Sequence, residues 1–427
     1  MSEVLFDLPE GWSWKPLSAL AEIVSGGTPS REVAEYWSPA EITWVTPTDI
    51  TGSDGRYLTS SKESISSSGL QKSSASMLPI GTVLMTSRAT LGQAKISAVK
   101  CCTNQGFKSL VPKESVPSEY LYYLVQLFKD RYERLGIGST FLEVSKKDTE
   151  KFLLPVAPKG QRASISKILV CIDNQIDATK ALIDKYTAIK QGMMADLFSR
   201  GIDPETKALR PTFKEAPELY HKTPLGMLPK GWKISLLEDI APVIDPQPDH
   251  RTPPQVKEGV PYVGVGDFTW DERIDAKKCR KVSPNAFLKQ QSRFKVEIGD
   301  VIFGKIGTIG QPKVIREEGD FALSANVLLI KSGMKGNYIR DVLISQYTIA
   351  QLDKIVNVTS QPAVGIQTMR ELMIPLPDES IELELINSKL QGLESYIWSE
   401  VSSLNKLKVQ KAGLMQDLLT GKVPVPV

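Results

Sequence analysis

At 427 residues the chain is long enough for two or three domains, each able to bury a core of its own. A hydrophobic content of 41% and a charged content of 24% are those of an ordinary globular protein, and a net charge of +3 is too small to identify a partner by itself. Four cysteines and two histidines at no metal-ligand spacing exclude a zinc site and a disulfide framework, while the acidic N-terminus and the lack of any run of roughly 18 apolar residues exclude a signal peptide and a membrane span, so a cytoplasmic location is expected.

The first element is a turn with an aromatic anchor, LPEGW at 8–12. A Gly-, Ser- and Thr-rich loop, SGGTPSREVAEYW at 25–37, follows and carries Thr28, Ser30 and Arg31 among aromatics. ITWVTPTDIT at 42–51 reads as a strand running into a polar turn that holds Thr48 and Asp49. In LPIGTVLMTSRATLGQAKI, at 78–96, VLMTS is a short buried strand and GQAKI the strand after a tight turn, with Arg88, Thr90 and Gln93 between or beside them. Asn104 and Gln105 come next, then a segment of helical spacing at 121–135, then Lys146 and Lys147 near the end of this first head at 158.

From 159 to 200 the pattern changes to one long helix. No proline interrupts 159–199, and Ile165, Leu169, Ile172, Ile176 and Ile183 recur at spacings near three and four, a heptad-like seam. Such a helix is roughly 60 Å long at ~1.5 Å per residue, more than a head of this size can cover. Gly201 and Pro204 stop it, and residues 201–227 form a linker.

Then the chain repeats itself. LPKGW at 228–232 answers LPEGW at an offset of 220; VPYVGVGDFT at 260–269 answers 42–51, and VEIGDVIFGKIGTIGQPKV at 296–314 answers 78–96, both at 218. Over 379–420 a second long helix carries Ile386, Leu390, Leu393, Ile397, Leu404 and Leu407, and KAGLMQDLLTGK answers KQGMMADLFSRG at 221, with Lys190 and Lys411 interrupting the two stripes at the same register. The chain is therefore a tandem duplication of a unit of about 220 residues, far longer than solenoid repeats. The expected fold is α+β: two similar β-rich heads at 1–158 and 228–378, separated by two long antiparallel helices with pseudo-two-fold symmetry, and a short tail at 421–427.

Strands, turns and helices are shared between the copies, while loops diverge: DPQPDHRTPP at 245–254, with Arg251, bears no likeness to SGGTPSREV. A duplicated scaffold with divergent loops suits two readers of different targets. Lys305, Thr308, Gln311, Asn326 and Gln361 of the second head stand near the places of the polar residues named in the first. Arg, Lys, Gln, Asn and Thr are the side chains that reach base edges and phosphates, so these positions are candidate DNA contacts.

Catalytic patterns fail. GDVIFGKI at 299–306 has Ile306 where a phosphate-binding loop needs Ser or Thr, and YVGVGDF at 262–268 lacks the third glycine of a dinucleotide fingerprint. Asp49 and Asp267, equivalent across the copies, have no second carboxylate and lysine in view for a nuclease; turn capping is the expected role.

The two LPxGW starts, SGGTPS, the VLMTSRATLGQ and VIFGKIGTIGQ segments and, above all, KQGMMADLFSRG and KAGLMQDLLTGK resemble the specificity subunit of type I restriction–modification enzymes over essentially the whole chain. The resemblance implies two target-recognition domains, each reading one half of a bipartite, asymmetric sequence in double-stranded DNA. The helices would set the unread gap and dock two methyltransferase subunits, and restriction subunits would join through the complex. No cofactor and no catalytic residue would belong to this chain: S-adenosylmethionine would be bound by the methyltransferases, and ATP with Mg by the restriction subunits. The competing expectation is a two-headed protein-interaction scaffold that does not bind DNA.

Overall fold

The computed structural model describes residues 6–137, 142–249, 251–356 and 363–426. Two compact units share the chain: Met1–Lys180 with Ser403–Val427, and Ala181–Ser402. Each unit takes one head, the opening half of one long helix and the closing half of the other, the helices being Lys159–Arg200 and Ser380–Leu419.

In the first unit a five-stranded sheet runs in the order Ala21–Ser25, Phe107–Pro112, Val83–Thr86, Ala94–Ser97, Tyr57–Leu58, antiparallel except for the last pair. A three-stranded sheet sets Ile42–Val45 between Glu63–Ile65 and the parallel Cys102–Thr103. The second unit repeats both, the larger sheet with four strands rather than five. Val243–Ile244, Val327–Ile330, Val301–Gly304 and Gly310–Val314 form an antiparallel sheet, and Gln255–Val263 lies between Arg280–Val282 and the parallel Ala322–Leu323. The register is copied too: Val83 faces Ile96 and Leu110, and its equivalent Val301 faces Val314 and Ile330. In both heads a final antiparallel pair, Ser13–Pro16 with Leu153–Val156 or Trp232–Leu236 with Met373–Pro377, returns the chain to the first strand just before its long helix begins.

The apolar run VLMT is buried on both faces, as is VIFG, because one side of the central sheet covers a small loop-side core and the other packs on helices. In the second head, residues 338–352 carry apolar side chains at helical spacing but are divided into Gly336–Leu343 and Gln346–Val356, with the Thr348 hydroxyl donating to the Val342 carbonyl at 2.9 Å across the break.

The long helices are part of the head cores. Ile165 and Leu169 join Leu418 and Leu419 in the first unit's main core; their equivalents Ile386 and Leu390 join Met194, Leu197 and Phe198 in the second. Burial at Ile172 and Ile176 continues this stripe, whereas Ile183, Leu393, Ile397, Leu404 and Leu407 are half-buried. Within each unit the two helix halves run antiparallel. Lys411 meets Asp173 at 2.6 Å in the first, Lys190 meets Glu394 at 2.7 Å in the second, and Tyr186 stacks on Tyr396 with ring centroids 5.9 Å apart.

The duplicated LPxGW motif has a common task. Gly421, at φ +77°, ends the second helix so close to Pro9 and Trp12 that a Cβ would lie 2.6 Å from the Pro9 Cγ and 2.8 Å from the Trp12 ring. Gly201, at φ +65°, ends the first helix against Trp232 and Glu382, where a Cβ would come within 2.3 Å of the Glu382 Oε1. Both positions need the left-handed conformation and the missing side chain that glycine supplies. Each tryptophan thus clasps the end of the helix that arrives from the other half of the sequence.

Candidate nucleic-acid interface

Four segments that follow strand ends, and the residues just before the helix Lys146–Lys151, are stitched into one rim on the first head. The Gly27 N–H donates to the Thr103 carbonyl at 2.8 Å, the Asn104 N–H to the Val45 carbonyl at 3.0 Å, and the Ser87 N–H to the Gly106 carbonyl at 2.8 Å. The Val144 N–H reaches the Ser87 carbonyl at 3.0 Å, and the Ala89 N–H the Leu142 carbonyl at 3.2 Å. Paired glycines are required at the start of the first loop, since a Cβ at Gly26 would fall 2.0 Å from the Asn104 carbonyl oxygen and one at Gly27 2.2 Å from the Ser74 hydroxyl.

This rim brings together Thr28, Ser30, Arg31, Thr48, Arg88, Thr90, Asn104, Gln105, Lys146 and Lys147, all exposed except the half-buried Asn104. The Thr28 hydroxyl donates to the Gln105 side-chain oxygen. Arg31 lies 3.9 Å over the Trp37 ring and 2.5 Å from Glu63, whose hydrogen bond raises the guanidinium pKa further. The exposed guanidinium is thereby held in a fixed plane at the rim. Asn104 turns inward to accept the Gly106 N–H at 2.9 Å, and Gln93 sits at the foot of the hairpin, its N–H donating to the Thr86 hydroxyl at 3.1 Å. Lys146 and Lys147 open the short helix Lys146–Lys151, with Lys146 3.9 Å from Glu150.

Beneath the rim Lys108 is buried, 3.3 Å from the Ser87 hydroxyl and 3.8 Å from Glu143, and its burial pushes the ammonium pKa down. Asp49 caps the turn after its strand, accepting the Thr46 N–H at 2.8 Å and the Lys62 N–H at 3.0 Å; Asp267 accepts the Gly264 N–H at 2.8 Å in the same way. Both aspartates hold the backbone of the rim.

The second head has the same backbone anatomy with other side chains. The Ser324 N–H donates to the Val263 carbonyl at 2.8 Å, the Lys305 N–H to the Asn326 carbonyl at 2.8 Å, and the Val364 N–H to the Lys305 carbonyl at 2.9 Å. These bonds make Lys305 the counterpart of Ser87, and Ile306 that of Arg88. Lys305 is not a surface contact: only 3% exposed, it places its ammonium 2.5 Å from Asp245. Burying a cation is costly without a counter-charge, and the Asp245 carboxylate supplies one. Thr308, Gln311, Asn326 and Arg251 are exposed; Gln361 lies outside the described residues. Replacing Lys305 by Ala is expected to lower the stability of the second head by roughly 2 kcal/mol in urea unfolding, with the bases read by that head unchanged.

A basic stretch in the second head was not singled out by motif. Residues 251–293 hold nine Lys and Arg against five Asp and Glu, whereas 31–75 in the first head hold four against six. Arg273, Lys278 and Lys289 in this stretch are largely exposed. A running charge count would have found it; the whole-chain net charge hides it. Among the described residues no group of three or more His, Cys, Asp or Glu is placed to hold a metal, and no helix is long and apolar enough to cross a membrane.

The family model of the type I restriction modification DNA specificity domain matches the chain twice, at 9–187 and 229–408. The chain belongs to the type I restriction–modification specificity family. The type I restriction enzyme MjaIX specificity subunit of Methanocaldococcus jannaschii is 30% identical to it, over 98% of this chain and 95% of the relative. The solved type I restriction–modification S subunit of M. genitalium shares the fold at a TM-score of 0.57 and 12% identity, covering 100% of this chain and 99% of that one. A chain from a structure of the complex assembly and conformational transition of the type I system shares it at 0.54 and 17%, covering 98% and 100%. As a specificity subunit the chain is the DNA-recognition part of a type I system rather than an enzyme, and its duplicated α+β fold is that of the family.

Proposed function

We propose that each head reads one half of a bipartite, asymmetric site in double-stranded DNA through its rim, and that the long helices fix the unread gap. One observation carries this reading: three of the five backbone hydrogen bonds that join the first rim recur at equivalent positions in the second, while the side chains the rims present differ in kind and in charge. A common frame with two sets of contacts is what two different half-sites require. Linkage then raises the effective concentration of the second half-site once the first is bound.

The helix surfaces left open would dock two methyltransferase subunits, with restriction subunits joining through that assembly in the cytoplasm. S-adenosylmethionine and ATP with Mg would be bound by those partners, and this chain would bring no cofactor. The test is to co-express the chain with a cognate methyltransferase and map methylated bases at single-base resolution. A motif of two specified blocks around a fixed gap is expected. Exchanging residues 26–31 and 87–90 for those of another specificity subunit should change one block and leave the other and the gap unaltered. A change in both blocks would refute the assignment of one head to one half.

A further inference from the structure

Lys190 and Lys411 are the two charges that break the apolar stripes of the long helices, and each finds its acid on the opposing helix. Lys190 lies 2.7 Å from Glu394 and Lys411 lies 2.6 Å from Asp173. The paired positions add to the same total, 584, in both units. The four side chains are largely shielded, with Lys190 14%, Glu394 12%, Asp173 10% and Lys411 25% exposed. A third bond ties each pair to a head: the Tyr123 hydroxyl donates to Asp173 at 2.6 Å, and Arg340 donates to Glu394 at 2.7 Å.

We propose that these two lysine–carboxylate pairs are register pins of the helix pair and therefore determinants of gap length, an inference that rests on the reading that the helices set the gap. Apart from the helix ends held in the head cores, apolar stripes of heptad type do not distinguish registers seven residues apart, since each slip lays the stripe on itself again. The charges can choose. A slip of seven residues in one sense sets Lys411 opposite Lys180 and Lys190 opposite Val401; in the other it sets Lys411 opposite Ser166 and Lys190 opposite Asn387. Either slip strands two shielded lysines and two shielded carboxylates, and one of them opposes like charges. Polar residues in an apolar seam are the best-attested device for fixing register, and they do so at a cost in stability that an apolar pair would not carry. Lys190 and Lys411, and likewise Asp173 and Glu394, are equivalents at an offset of 221, so the duplication repeats the lysine together with its acid and the common total follows from it.

The experiment uses the full chain with its methyltransferase and the double variant Lys190→Met, Lys411→Met. Methionine keeps the length of the stem, and Asp173 and Glu394 retain Tyr123 and Arg340 as partners. Methylated motifs are mapped for both proteins. In parallel, spin labels on the exposed Cys171 and on Gln410→Cys report the helix register within the first unit, the other three cysteines being buried. Wild type is expected to give one gap and one label distance. The variant should keep both half-site blocks while adding a second gap, displaced on the order of three base pairs for a slip of ~10 Å, and a second label distance. The reversed pair Asp173→Lys, Lys411→Glu should return the first unit to one distance. An unchanged single gap and single distance in the double variant would overturn the pins and leave the gap reading intact. A second label distance without any bipartite motif in the wild type would keep the pins as register devices and remove the gap reading.

Discussion

Replacing Arg340 by Met is expected to destabilise the second unit by about 3–5 kcal/mol. Arg340 is 3% exposed and holds three carboxylates at once: Glu394 at 2.7 Å, Asp341 at 2.9 Å and Glu272 at 3.2 Å. Removing one member of such a cluster leaves buried charge without compensation, which costs far more than the intact cluster contributes. Asp341 is the most exposed to this loss, since its side chain has no contact with solvent and burial already pushes its pKa up, with Arg340 and Lys190 pulling against it. Burial also pushes Glu394 up, but Arg340 and Lys190 outweigh it and hold that carboxyl below its ordinary value.

Loss of Arg340 raises both folded-state values. A group whose folded pKa is raised contributes stability that is present below its unfolded value, near 4, and lost as pH rises through the folded value. The deficit of the variant should therefore be small near pH 4 and grow toward pH 7. Hydrogen exchange of peptides from 265–345 at two pH values measures both the size and the sign; a deficit that narrows toward neutral pH would contradict the account.

The network shows where reading the sequence stops. The duplication is legible because Ile-Gly turns, buried strands and long helices each impose a residue pattern at a fixed period. Lys190 and Lys411 stand out as interruptions for the same reason. Their acids do not, because nothing at Glu394 or Asp173 departs from an ordinary solvated helix face until the opposing helix is laid on it. Arg340, Glu272 and Arg316 come from three separate segments, and spacing carries no trace of their meeting. Lys305 was open to misreading in the opposite direction. A lysine after a strand in a DNA-reading head invites a phosphate contact, and the residue that claims it, Asp245, lies 60 positions earlier in a loop whose sequence differs completely from its counterpart in the first head. Gly201 is legible as a helix stop, but nothing in its spacing points to Trp232, which packs against it from beyond the linker.

The clasp around Gly201 supplies the second large effect. Glu382→Ala is expected to cost about 4 kcal/mol in the second unit, because one carboxylate there serves three donors. Its oxygens accept the Ile202 N–H at 2.8 Å, the Trp232 indole N–H at 3.0 Å and the Arg210 guanidinium, which reaches Glu382 Oε2 at 3.0 Å. All are shielded, so each loses a partner that water cannot replace. Glu382→Gln gives a diagnostic contrast. The equivalent residue of the first unit, at an offset of 221, is Gln161, and there Pro9 and Trp12 close on Gly421. Glutamine at 382 keeps one oxygen for the indole or the backbone N–H, yet it leaves Arg210 as a shielded cation without a counter-charge. Its cost should therefore fall between wild type and alanine, and Arg210→Met added to Glu382→Gln should recover part of the loss. Recovery in urea unfolding would show that the charge, not the clasp itself, sets the cost. Failure to recover would place the energy in the neutral hydrogen bonds that hold the end of the first helix to Trp232.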